Sequence, residues 1–238
     1  MSISEHELRR KILEALKEVR SKSPERNFTE AVELHIGFKD IDLRRPENRL
    51  RFNLLLPHYV SSKDKIGVFA DDPHIPALRE LAEKSEDNIT IIDKVRLEEL
   101  KSNLKLAKKL VRNHRIFLSS STFMSNIGKF FGRMIRILNP RNKMPIPIPI
   151  NEDPAKAIEN AKRTLQIRLH KVPVINIKVG DIKMTDEELA ENIVAVLEAI
   201  KNRMPKGWRN IKSIHIKTTM GPPVKISLMA KRKKKIAA

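Results

Sequence analysis

Cysteine is absent from this chain. Its absence excludes disulfides, thiolate catalysis and cysteine zinc sites. Aromatics make up only 4% of residues, with one Trp and one Tyr. So few rings cannot furnish a broad platform for stacking successive bases. No apolar run approaches the ~20 residues of a membrane-spanning helix. The N-terminal stretch MSISEHELRRK is polar and holds no apolar signal core, so a soluble, intracellular protein off the membrane is expected. Seven His stand at 6, 35, 58, 74, 114, 170 and 215. No pair has helical ligand spacing, so no metal site is expected. There is neither a G-x-G-x-x-G nor a P-loop, and no cofactor is expected.

What the chain has in excess is positive charge. Over 238 residues, 48 Lys and Arg face 29 Asp and Glu, a net of +19. The excess is uneven. Residues 1–62 carry 12 basic and 10 acidic side chains, and residues 63–154 carry 17 and 12. Residues 155–238 carry 19 and 7. A surplus gathered in one third of the chain is an electrostatic footprint for a polyanion. Nucleic acid is the first candidate and an anionic membrane surface the second. The shortage of rings favours recognition of a folded RNA by backbone and shape. The tail KRKKK at 231–235 adds affinity for polyanions without sequence choice and reads as disordered,.

The hydrophobic pattern divides the chain. Residues 4–20 read as an amphipathic helix with Leu8, Ile12, Leu16 and Val19 on one side. Residues 30–38 alternate as a half-buried strand, and 50–56 form a second strand, together an antiparallel hairpin. From residue 63 the pattern becomes strand–helix alternation: strands at 66–70, 89–93 and 115–119, helices at 75–84, 95–113 and 122–138. That alternation implies a parallel sheet with crossover helices. PIPIPI at 145–150 is extended and reads as a return linker. A helix from 154 to 165 follows, then strands at 166–169 and 173–179, and a helix at 186–203 opened by a capping box at Thr185 and Glu188. Strands at 212–217 and 224–229 complete the chain. The expected fold is α/β (α+β) with two domains. Residues 1–62 and 155–238 form a discontinuous antiparallel-sheet domain, and 63–154 an inserted parallel α/β domain. Two crossings would permit hinge motion.

The most informative stretch is 212–223, KSIHIKTTMGPP. A strand runs into the turn Thr218-Thr219-Met220-Gly221-Pro222. Thr218 and Thr219 offer hydroxyls, Lys217 adds charge, and Gly221 lacks a Cβ, so another backbone can come close. Met220 can fit a sugar or base face. That set suits a sugar–phosphate backbone better than a small-molecule pocket. A plain strand end is the alternative on pattern alone. Asp40 and Asp42 lack a third nearby carboxylate and read as loop acids. Asp71-Asp72 reads as a helix cap, and Gly128 and Gly132 as helix packing positions.

Several pieces spread along the chain carry a resemblance. They are Phe28-Thr29-Glu30-Ala31-Val32-Glu33-Leu34, Lys39-Asp40-Ile41-Asp42-Leu43, Leu55-Leu56-Pro57-His58, Pro140-Arg141-Asn142-Lys143-Met144-Pro145, Val179-Gly180 and, most specific, Thr218-Thr219-Met220-Gly221-Pro222. In order and separation they resemble the archaeal branch of the ribosomal protein L-one family, the protein of the mobile stalk beside the tRNA exit site. The resemblance implies a discontinuous domain that binds folded large-subunit rRNA and a Rossmann-like inserted domain without a nucleotide. It implies a non-enzymatic, cytoplasmic ribosomal protein that assists movement and release of exit-site tRNA. It also implies repression of translation through binding of its own mRNA, and a monomer off the ribosome. Carried over by position, RNA contacts fall on Phe28, Glu30, Lys171, Ser213, Thr219, Met220 and Gly221, and the hydroxyl of Thr218 in the same turn joins them, with no catalytic or metal residues. The chain departs from the family pattern at Tyr59-Val60-Ser61-Ser62-Lys63, where a glycine-rich basic turn is usual. It also departs at Asn139 and Asn142, which replace Gly, and at Ala31, which replaces Thr or Ser. The rival readings are a general RNA-binding regulator, an enzyme acting on nucleotides or nucleic acid through the α/β domain, and a membrane-surface protein.

Overall fold

The computed structural model describes residues 4–60, 64–71, 74–84, 89–124, 143–149 and 152–227. In chain order the elements are α1 (Glu5–Lys22), β1 (Ala31–Phe38), β2 (Leu50–Leu55), β3 (Lys65–Phe69), α2 (His74–Lys84), β4 (Ile89–Ile92), α3 (Lys94–Ser102), α4 (Leu104–Asn113), β5 (His114–Ser120), β6 (Ile146–Ile148), α5 (Pro154–Arg163), β7 (Thr164–Leu169), β8 (Val174–Asp181), α6 (Asp186–Arg203), β9 (Ile211–Thr218) and β10 (Val224–Ile226). Short 3-10 turns lie at Pro46–Asn48 and Gly207–Asn210. The chain divides into two compact units, Met1–Val60 with Leu165–Ala238, and Ser61–Thr164. The α/β (α+β) class is confirmed: one sheet is antiparallel and another parallel.

In the first unit the antiparallel sheet has the order β10-β9-β1-β8. One face is buried. Val32, Leu34, Ile36 and Phe38 of β1 alternate inward and meet Leu8, Ile12, Leu16 and Val19 of α1 and Leu189, Ile193, Val196 and Leu197 of α6. Both helices are capped as their sequences dictate: Ser4 accepts from the Glu7 N–H, and Thr185 and Glu188 form a reciprocal capping box,. The expected hairpin of 30–38 with 50–56 does not form. Both edges of β1 are taken, by β8 and β9, so β2 pairs instead with β7.

The second unit has a parallel sheet of order β4-β3-β5-β6. PIPIPI is not merely a linker, because Ile146–Ile148 pairs in parallel with Leu118–Ser120 as the edge strand. A proline costs least at an edge, where no second neighbour needs its missing donor. The helical segments expected over 95–113 are α3 and α4, separated at Asn103. Its side chain accepts from the Lys105 and Leu106 N–H groups and so starts α4 anew,. The helix α5 belongs to this unit, moving the second crossing from 154/155 to 164/165. The reason is packing: Ala157, Ile158 and Ala161 bury against Ile66, Val68, Ile116 and Leu118. Of the helix expected at 122–138, all beyond residue 124 lies outside the described residues, as do Asp72, Gly128, Gly132, Asn139, Asn142 and the 231–235 tail.

One buried titrating group gives this unit a pH dependence. Nδ1–H of His114 donates to the Leu110 carbonyl at 2.7 Å, so Nε2 accepts from the Thr90 hydroxyl at 2.8 Å. Burial lowers its pKa from 6.5, aided by Lys65, Lys143 and Arg96 and opposed by the Leu110 bond. The unfolded imidazole therefore takes up its proton first. The contribution of His114 to stability is full above about pH 6.5 and is lost as pH falls through the lower folded value,. The stability gap between wild type and His114→Gln should therefore narrow between pH 7 and pH 5 in denaturant titrations. A constant gap would show that His114 titrates normally in the folded chain.

Candidate nucleic-acid interface

The turn after β9 is built into the start of β1. The Thr219 N–H donates to the Ala31 carbonyl at 3.1 Å. The Thr219 hydroxyl accepts from the Ala31 N–H at 3.2 Å. The Met220 N–H donates to Oε1 of Glu30 at 3.0 Å, and the Gly221 N–H to Oγ1 of Thr218 at 3.0 Å. Beneath them the Thr218 and Ser23 hydroxyls share a 2.8 Å bond, and Ser23 also donates to the Val19 carbonyl at 2.8 Å. The end of α1 thus forms the floor of the turn. On this fixed base two apolar side chains stand in solvent, Phe28 at 54% and Met220 at 59% exposure.

Three of the sequence assignments change character. Thr218 is fully buried, and its hydroxyl is spent on Ser23 and Gly221, so it shapes the turn and presents nothing outward. Glu30 is buried too, at 2% exposure. One carboxylate oxygen holds the Met220 N–H, while Oε2 is enclosed without a partner among the described residues. Gly221 is buried, and a Cβ there would lie 2.4 Å from Oγ1 of Thr218 and 2.7 Å from Oγ of Ser23. The glycine is demanded by the chain's own packing. Ser23 escaped the sequence reading because its partner lies 195 positions away and nothing local marks it.

The sheet face opposite α1 and α6 is open. From β9 it carries Ser213, His215 and Lys217, and from β1 Glu33, His35 and Gly37. Pairing aligns these in rows: Lys225, His215, His35 and Asn176 in one, Lys217, Glu33 and Lys178 in the next. Ser213 lies opposite Gly37, its Oγ only 2.9 Å from where a Cβ would stand. Among the described residues no hydrogen bond or ion pair engages the side chains of Ser213, Lys217 or Lys171. Partial burial lowers the pKa of His215, with Lys225 and His35 adding to it, so at pH 7 it is a neutral group within a basic surface. Lys171 stands in the β7–β8 turn beside Val174, which pairs with Gly37, whereas Ala31 pairs with Asp181. Lys171 and Met220 therefore mark opposite ends of a strip spanning six residue steps of β1, from Ala31 to Gly37, about 20 Å,.

Other matching motifs serve the scaffold. The His58 N–H donates to Oδ1 of Asn192 at 3.1 Å, and its ring contacts Glu191 at 2.7 Å. The Asn192 amide donates to the Val179 carbonyl at 3.0 Å. A Cβ on Gly180 would lie 2.5 Å from the end of the Leu189 side chain and 2.6 Å from the Met184 sulfur, so glycine lets both side chains lie against β8 without shifting. Asp40 adopts a left-handed φ of 55°, with the Asn210 amide donating to the Lys39 and Asp40 carbonyls. Lys143 donates to the Val111 and His114 carbonyls at 2.7 and 2.5 Å. At or just past the ends of β5 and β3 the hydroxyls of Ser120 and Thr122 donate to Asp71 at 2.7 and 2.8 Å. Among the described residues no cluster of three or more His, Asp or Glu could hold a metal ion, and no helix is long and apolar enough to cross a membrane.

These features define a class: a strongly basic α+β protein of two units, whose distinctive surface is a braced turn beside an open sheet face. Comparison makes it particular. The profile of the Ribosomal protein L1p/L10e family matches residues 16–222, and the chain belongs to that family, which is not enzymatic. Large ribosomal subunit protein uL1 of Pyrococcus horikoshii is 41% identical over 221 residues, 92% of this chain and 96% of the relative. That of Thermococcus kodakarensis is also 41% identical over 92% and 97% of the two chains. That of Methanocaldococcus jannaschii is 36% identical over 95% and 99%.

Proposed function

We propose that this protein is a structural constituent of the large ribosomal subunit and that it binds a folded rRNA segment of the mobile stalk through its discontinuous unit. The observation that carries the reading is the braced turn, which holds Met220 and Phe28 exposed at one end of the sheet face, with the unengaged Lys217 near it and Ser213 and Lys171 toward the other end. A surface already ordered pays little entropy on binding. Hydroxyls and cations along it match the 2′-hydroxyls and phosphates of an RNA minor groove, and Met220 fits a sugar or base face. Glu30 acts from below, fixing the Met220 backbone. On the ribosome the protein works in the cytoplasm, assisting movement and release of exit-site tRNA. Off the ribosome, as a monomer, it binds a similar fold in its own mRNA and represses translation.

The test is binding to a folded stalk rRNA fragment against a generic duplex of equal length, across a salt series. Met220→Ala removes surface contact alone and should weaken stalk binding about tenfold, ~1.4 kcal/mol. Thr219→Val also removes the acceptor for the Ala31 N–H and should weaken it at least as much. Neither should alter the salt slope, since neither removes a cation. If both RNAs bind alike and ignore these substitutions, the surface is a nonspecific polyanion patch and the reading fails.

A further inference from the structure

The basic side chains of helices α1 and α4 are used differently. On α1, Arg9, Arg10, Lys11, Arg20 and Lys22, all of its basic residues except Lys17, sit in ion pairs. On α4 the situation is reversed. Lys105, Lys108, Lys109 and Arg112 are all exposed, and none has an ion-pair partner among the described residues. No acidic residue lies on that helix. The four positions follow i, i+3, i+4 and i+7, so they form one stripe about 10 Å long. Uncompensated cations on one face repel one another, and a polyanion relieves that repulsion.

Beside the stripe lies an open groove of about 290 Å³ between α3 and α4. Its apolar lining is Leu100, Leu106 and Leu110, and its polar lining includes Glu99, Asn113 and Arg96. Leu106 stands 49% exposed at its rim. Leucine walls with an amide, a carboxylate and a guanidinium can cover the faces of a nucleobase and pair with its edge. The lining holds the cations Arg96 and Lys109 beside the carboxylate Glu99, so the phosphate and the base edge of one nucleotide both find partners at the groove.

We propose that the α3–α4 surface is a second RNA site, in which the stripe holds consecutive phosphates and the groove takes one unstacked base. The proposal rests on the RNA-binding reading above but on different residues. A bilayer is a poor fit, because Ala107, Leu110 and Val111 of α4 are buried, leaving Leu106 and, on α3, Val95 as the exposed large apolar side chains among the described residues of this surface.

The experiment uses the full chain and a labelled 12-nucleotide unstructured RNA, titrated at several salt concentrations. Its arms are wild type, the triple Lys105→Gln/Lys108→Gln/Arg112→Gln, Leu106→Glu and Met220→Ala. The triple should reduce the salt slope by about 2, at about 0.7 per lost contact to a single strand, and lower affinity at least tenfold. Wild type should prefer the RNA over an abasic strand of equal length, and Leu106→Glu should abolish that preference. An unchanged slope in the triple overturns the stripe. Equal binding of the abasic strand overturns the base pocket, and equal binding of a polyglutamate peptide of matched charge overturns the choice of RNA. Met220→Ala separates the two readings: it should spare the 12-mer and impair only the stalk fragment. If the stalk fragment ignores Met220→Ala while the triple loses the 12-mer, the second site stands and the first reading falls.

Discussion

Gly221→Ala is expected to lower stability by about 2 kcal/mol without any RNA present and to weaken stalk RNA binding at least thirtyfold. The added methyl would stand 2.4 Å from Oγ1 of Thr218 and 2.7 Å from Oγ of Ser23. Neither neighbour can yield cheaply. Thr218 is β-branched and fully buried, and rotating it breaks its bonds to Ser23 and to the Gly221 N–H,. Ser23 is held on the Val19 carbonyl at the end of α1. The turn must therefore shift, carrying Met220 off Glu30 and Thr219 off Ala31. Thermal unfolding of the free protein separates two explanations of this glycine. If it served only the approach of RNA, the melting temperature without RNA would not change. A drop in the free protein, with partial recovery in Thr218→Ser/Gly221→Ala, assigns it to internal packing.

Arg115→Met should be the most damaging single change to the second unit, costing about 3–5 kcal/mol. Arg115 donates to the carbonyls of Thr164 and Ala161, each at 2.8 Å, and of Lys162 at 3.1 Å. Its Nε lies 2.7 Å from Asp64. Burial pulls its pKa below the ordinary 12.5, and Asp64 opposes the shift. The guanidinium thus supplies donors to the orphan carbonyls at the end of α5 and ties them to Asp64, near the other end of the inserted segment. Met fills much of the same volume but donates nothing, leaving those carbonyls and Asp64 without their guanidinium. Calorimetry should show the transition of the second unit falling by several degrees. Stalk RNA affinity, measured well below that transition, should stay within about threefold of wild type. An unshifted transition would mean that water replaces the guanidinium at little cost. A large loss of stalk affinity would mean that the second unit takes part in that binding.

Much of this protein was legible in local pattern. Alternation at 31–38 and the 3.6-residue period of α1 each report a face that must leave water, and the Thr185 capping box starts α6 at the residue predicted. Strand–helix alternation after residue 63 implied a parallel sheet, and an excess of cations pointed to a polyanion,. These follow from chemistry within one turn or one strand. What the turn at 218–221 offers to a ligand does not. Thr218 and Thr219 are adjacent hydroxyls of equal promise in sequence, but β9 ends so that one points into the core and the other lies at the surface. Glu30 reads as an RNA contact by position until the return of the chain brings the Met220 N–H onto it and buries it. The partners of β1 and the unpaired state of the α4 stripe were likewise settled at long range. The sequence determined which segments bury a face and how much charge the surface carries. The tertiary structure decided which hydroxyls, carboxylates and cations remain free, because each is neutralised or left open by partners tens to hundreds of residues away.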